Sequence, residues 1–85
     1  MILDGAEVIL LSQKDHFGVI RYTDNSLKPI PVEYLAIGKY KGDKTIYLFK
    51  CNNRMEVEQD SVFETIEEAQ QRAAEINKNV IWQAV

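Results

Sequence analysis

Two alternating apolar segments, Val32–Lys41 and Lys44–Cys51, meet at Gly42-Asp43, and this junction constrains the fold more than any other feature. A Gly-containing pair between alternating runs is a hairpin signal, because tight hairpin turns need positive φ. A two-residue loop sets the register: Lys41 faces Lys44, Ile37 faces Leu48 and Ala36 faces Phe49. Side chains alternate across a strand. Leu35, Ile37, Ile46 and Leu48 therefore share one face. Tyr34, Ala36, Gly38, Tyr40, Tyr47, Phe49 and Cys51 share the other. One face is aliphatic and the other aromatic.

Further strands flank this hairpin. Ala6–Ser12 and Phe17–Thr23 read as strands separated by a polar turn at residues 13–16, and Asp24-Asn25-Ser26 is turn chemistry. Pro29 and Pro31 keep the next connection out of a central ladder. Asn52-Asn53 is a second turn leading into a strand at Met55–Gln59. An even-length turn there puts Met55 and Val57 on the aliphatic face and Glu56 and Glu58 on the aromatic one. A three-residue loop reverses that assignment, since a one-residue slip moves every side chain across the sheet.

One helix follows. Thr65 is an N-cap with Glu68 three residues on, and Glu67 and Glu68 lie where the helix dipole favours negative charge. Ile66, Ala69, Ala73 and Ile76 form one stripe, Glu68 and Arg72 an i,i+4 pair, and Asn77 or Asn79 a stop. Val80–Val85 reads as a last short strand or an apolar tail. The expected fold is α+β, a single domain over residues 1–85: an antiparallel sheet of four to five strands with one C-terminal helix on its aliphatic face.

Size and composition narrow the function. A chain of 85 residues makes one domain with a thin core, burying ~60–65% of its unfolded surface. The run Val8–Leu11 is too short to cross a membrane. The opening Met-Ile-Leu-Asp-Gly has no basic n-region, and the lone Cys51 fits a reducing compartment, so a cytoplasmic location is expected. Net charge is −3, but residues 1–54 carry +2 and residues 55–85 carry −5. Between Arg54 and Arg72 there is no basic residue, while Glu56, Glu58, Asp60, Glu64, Glu67 and Glu68 fall there. A stretch of that kind suits a basic partner, or is a solvated acidic surface.

Catalytic and metal chemistry find little footing. His16 is the only histidine, next to Asp15 in a turn, and Cys51 is best read as a small apolar strand residue. One His and one Cys do not make a zinc site, and no glycine-rich phosphate loop precedes the helix. No catalytic residue, metal or cofactor is expected. Lys39, Lys41, Lys44, Lys50 and Arg54 interleave with Tyr40, Tyr47 and Phe49 in sequence, yet register sends the lysines mainly to the opposite face. With a pI near 5.0, this argues against nucleic-acid binding.

The residues expected to bind a partner are Tyr34, Tyr40, Tyr47 and Phe49, rimmed by Glu56 and Glu58. Aromatic anchors with a charged rim are the usual anatomy of a protein interface, although Tyr and Phe are also simply good strand formers.

From Tyr34 to Trp82 the chain resembles small bacterial α+β immunity proteins, which neutralise a toxin made by the same cell. The resemblance rests on the aromatic strand Tyr47-Leu48-Phe49-Lys50-Cys51, the polar turn after it, a strand ending at Asp60, the capped Thr65-Ile66-Glu67-Glu68-Ala69 helix and a late Trp82. It implies a non-catalytic inhibitor whose protein partner is a basic toxin or nuclease. Two other functions fit an acidic binder: a phage or mobile-element inhibitor of a host nuclease that mimics nucleic acid, and a homodimeric structural or regulatory subunit.

Overall fold

A computed structural model describes residues 1–24 and 26–85; Asn25, within the expected 24–26 turn, lies outside the described residues. In chain order the elements are β1 (Ile2–Leu3), β2 (Ala6–Ser12), β3 (Val19–Ile20), β4 (Ile30–Pro31), β5 (Tyr34–Lys39), β6 (Ile46–Cys51), β7 (Val57–Phe63), α1 (Ile66–Ile76) and β8 (Trp82–Ala84). The main sheet runs β1-β2-β5-β6-β7, with β8 also paired to β2, and every pairing is antiparallel. The fold is α+β with one C-terminal helix, as the sequence implies.

The central register is the expected one. Ile37 pairs with Leu48 and Ala36 with Phe49. The ladder stops at Gly38–Tyr47, so Lys41 and Lys44 lie beyond it in a wider loop. That loop is organised by Asp43: its backbone N–H donates to the Tyr40 carbonyl at 3.1 Å, and its Oδ1 accepts from the Thr45 N–H at 2.8 Å. Gly42 supplies a φ of +80°.

Burial on both faces follows from this register. On the aliphatic face Leu35, Ile37, Ile46 and Leu48 pack with Ala69 and Ala73 of α1, where the small side chains let the helix backbone come close. Thr65 caps α1 by accepting the Glu68 N–H at 3.1 Å. Glu68 turns back to the Thr65 hydroxyl (3.3 Å), and Arg72 reaches Glu75 at 3.5 Å rather than the expected Glu68. Both partners of that ion pair are exposed, and such pairs are worth little.

The N-terminal third departs from expectation. Phe17–Thr23 does not form a hairpin with Ala6–Ser12. Gly18, with φ +90°, redirects the chain, so that Val32 donates to the Gly18 carbonyl and Phe17 to the Val32 carbonyl, both at 2.9 Å. The two-residue β3 and β4 then pair as a separate arm, and Phe17, Ile20 and Val32 join the aliphatic core. The polar segment after Ser12 works as a fastener. Gln13 accepts the Ile81 N–H on Oε1 (2.9 Å) and donates from Nε2 to the Asn79 carbonyl (3.1 Å), which seats β8 on β2. Trp82 thereby lands against the aliphatic core.

With helix, arm and Trp82 all on one side, the other face is closed by curling of the sheet. Asp4-Gly5, both at positive φ (51° and 82°), turns β1 into β2 and brings Leu3, Ala6 and Val8 over Ala36, Phe49 and Cys51. Ile9 bulges from the β2–β5 ladder, and bulges increase local twist. Gly38 lies opposite Val8 at that point, and a Cβ on it would stand 2.5 Å from the Glu7 carbonyl oxygen. Gly38→Ala should cost about 1–3 kcal/mol, the usual range for overpacking, measured as a lowered urea midpoint with unchanged slope.

Candidate functional site

The aromatic strand residues separate into core and surface. Phe49 is fully buried (0% exposed) and forms the centre of the second core with Ala36 and Cys51, so it is not available to a partner. Tyr34, Tyr40 and Tyr47 are half-buried against that core. Tyr47 stacks on Phe49 (centroids 5.9 Å, planes 9° apart) and meets Tyr40 edge to face at 5.1 Å and 88°. Tyr40 is anchored by its hydroxyl, which donates to the Asp4 carbonyl at 3.0 Å. The two tyrosines form a fixed platform whose outer parts reach solvent.

The acidic rim differs from the one expected. The turn after β6 is odd in length: Asn52 donates its N–H to the Glu56 carbonyl (3.0 Å), closing a three-residue loop with Met55 at φ 62°. Asn52 Oδ1 holds the loop by accepting the N–H groups of Arg54 and Glu56 at 2.8 and 3.1 Å. Met55 and Val57 consequently pack on the aromatic side. The assignment of Glu56 and Glu58 to a rim around the tyrosines is therefore wrong. Both gather on the Asn52 side chain, at 3.0 and 3.3 Å, and Glu58 is the extra residue of a bulge opposite Lys50 and Cys51.

Other carboxylates take their place. Beyond the bulge, Asp60 pairs with Phe49 and Val62 with Tyr47, which puts both on the tyrosine face. Val62 is 61% exposed. Asp43 Oδ2 lies 3.4 Å from the Tyr47 hydroxyl, and Asp4 sits beside Tyr40. Loss of solvent around the rings raises both phenol pKa values above the ordinary 10.0. Nearby carboxylates add to it: Asp4 and Asp60 for Tyr40, Asp43 and Asp60 for Tyr47. Asp43 is itself held below the ordinary carboxylate value, chiefly by the Thr45 backbone N–H. Asp4, Asp43 and Asp60 were all in view in the sequence. Placing Asp60 required the length of the 52–56 turn, and placing Asp4 required reading Asp4-Gly5 as a hairpin turn.

Lys39 and Lys50 occupy register positions on the opposite face, as expected. His16 is an exposed loop residue whose carbonyl accepts from the Asn77 side chain at the helix C-cap, whereas Cys51 is buried in the core of the other face. Burial first, then the Glu58 charge, pushes the Cys51 thiol up to about 11. Among the described residues no group of three or more His, Cys, Asp and Glu is placed to hold a metal ion. No helix among the described residues is long and apolar enough to cross a membrane. Compared with protein-family models, curated proteins and solved structures, the chain gives no match.

The division between core and platform is measurable. Phe49→Ala should cost about 3–5 kcal/mol of stability, whereas Tyr47→Phe, which removes only a long hydrogen bond, should cost less than about 1 kcal/mol. Alkaline titration gives a second test. A group whose folded pKa is raised adds stability that is complete below its unfolded pKa and is lost as pH rises through the folded value. Stability should therefore fall between pH 9.0 and about 11 as Cys51 ionises, and above 10.0 as Tyr40 and Tyr47 follow. The double variant Tyr40→Phe/Tyr47→Phe should flatten the later part of that loss in pH-dependent urea melts.

Proposed function

We propose that this chain is a non-catalytic protein-binding module, and within that class an immunity protein that neutralises a basic toxin or nuclease. The observation that carries the reading is the tyrosine platform: Tyr40 and Tyr47, locked edge to face, flanked by Asp4, Asp43 and Asp60 and by an exposed Val62. Aromatic side chains already held in place lose little conformational freedom on docking, and they are the residue type most often found at interface hot spots. Carboxylates around them steer a cationic partner and raise its association rate. Such a binder needs no active site. It needs a rigid surface and complementary charge.

The platform, not Glu56 and Glu58, is the binding surface in this reading, and Phe49 serves it from beneath. Capture of partners from the native host, followed by co-expression of the captured protein with this chain, tests the proposal. A single stoichiometric partner should be recovered, and its toxicity should be suppressed by the wild type. Tyr40→Ala should weaken the complex by about 2 kcal/mol, roughly 30-fold. A partner that binds Tyr40→Ala as tightly as wild type, or whose effect on cells is unchanged by the chain, would refute it.

A further inference from the structure

Among the described residues the outer edge of β7 has no strand beside it: β6 is its one strand neighbour in the sheet. This is a seven-residue strand, Val57–Phe63, long enough to template another chain through its outward N–H and C=O groups. Proteins commonly blunt such edges with Lys, Pro or a covering element. β7 contains neither Lys nor Pro. Its guards are carboxylates: Glu58 and Asp60 within it, Glu56 and Glu64 at its ends.

These charges discriminate between possible strands. An antiparallel pairing of two copies about a two-fold axis must centre on one residue. Centred on Gln59 it sets Glu58 against Asp60. Centred on Asp60 it sets that residue against itself and Glu56 against Glu64. Centred on Ser61 it sets Glu58 against Glu64. Like charges directly opposite one another destabilise a sheet, and opposite charges stabilise it. The edge rejects a second copy and favours a cationic strand.

A cleft of about 500 Å³ opens where β7 ends, between the start of β6 and the first turn of α1, lined by Lys44, Thr45, Val62, Phe63, Glu64 and Glu68. Its walls suit a long cationic side chain, with an apolar stem over Val62 and Phe63 and a charged head at Glu64 and Glu68. Lys44 offsets only part of that negative charge. Main-chain pairing along an edge is a recurrent way to bind an extended peptide, and this cleft is within reach of a side chain at the end of the added strand.

We propose that β7 takes up an extended Lys/Arg-rich segment of a partner protein as an added strand. The proposal rests on the reading of this chain as a protein binder and specifies how one segment of the partner is held.

The test uses the full chain, ¹⁵N-labelled, and a nine-residue capped peptide alternating Arg and Val. Amides of residues 57–63 should shift and exchange with solvent at least tenfold more slowly when the peptide binds. The same peptide N-methylated at alternate residues, which keeps its charge but loses ladder hydrogen bonds, should bind at least tenfold more weakly, as should a Glu/Val peptide. Asp60→Lys should lower affinity for the Arg/Val peptide by a similar factor. Equal binding of the N-methylated peptide would reduce the interaction to charge alone and overturn strand addition. So would unchanged exchange in β7, or perturbation confined to Tyr40 and Tyr47. Those failures are separate from a failure of the binding function itself, which is read by partner capture with Tyr40→Ala, a residue outside β7.

Discussion

The β5–β6 register is the constraint on which the rest of the molecule depends. Leu35, Ala36 and Ile37 are three consecutive residues with 0% exposure, and Leu48 and Phe49 opposite the last two are at 1% and 0%. A strand buried on one face tolerates some error on the other. Here both faces are core, so a slip by one residue would drive Phe49 toward the helix alanines and Leu48 into the space filled by Ala36 and Cys51. Ala36 matters as much as the large residues: its small side chain opposite Phe49 leaves room for that ring beneath the tyrosines.

From that register the two cores take different routes to burial. The aliphatic core is covered by separate elements: a capped helix, a short arm and Trp82. The aromatic core has no second layer and is closed by sheet curvature, for which the Ile9 bulge, Gly38 and the Asp4-Gly5 turn are the local devices. A curled sheet leaves its outermost aromatic rings partly uncovered. The same geometry that completes the core thus presents Tyr40 and Tyr47 to solvent, held by stacking and by the Asp4 carbonyl.

Much of this was legible in the sequence, and the limits have physical causes. The central register, the face assignment of the β5 and β6 residues and the Thr65-capped helix all follow from alternation, turn chemistry and helical spacing. Each is a local rule acting over a few residues. Tyr47 and Phe49 share one strand and one face, so alternation alone does not separate an exposed ring from a buried one. That needs the position of β1 and β2, which are remote in sequence. The length of the loop after β6 is not legible from composition, because it depends on Met55 adopting φ 62°, which is uncommon for any residue but glycine. Met55 packs against the second core. One residue of loop length then decided which carboxylates reach the tyrosines. The segment 17–23 carried strand composition but found its partner across Gly18, at residues 30–32, instead of in the strand before it.

Along β2 the first and last residues of the chain come together. Met1 accepts the Val8 N–H at 2.9 Å, Val85 donates to the Ile9 carbonyl at 3.2 Å, and β1 and β8 lie end to end on one side of the same strand. The two pieces act as a single split strand, each too short to persist alone. A linker of a few residues from Val85 to Met1 would make that strand continuous, and the chain could then be opened in the 40–45 loop as a circular permutant. In that rearranged protein the outermost position of the sheet would be one covalent unit, and the seating of β8 would no longer rest on Gln13.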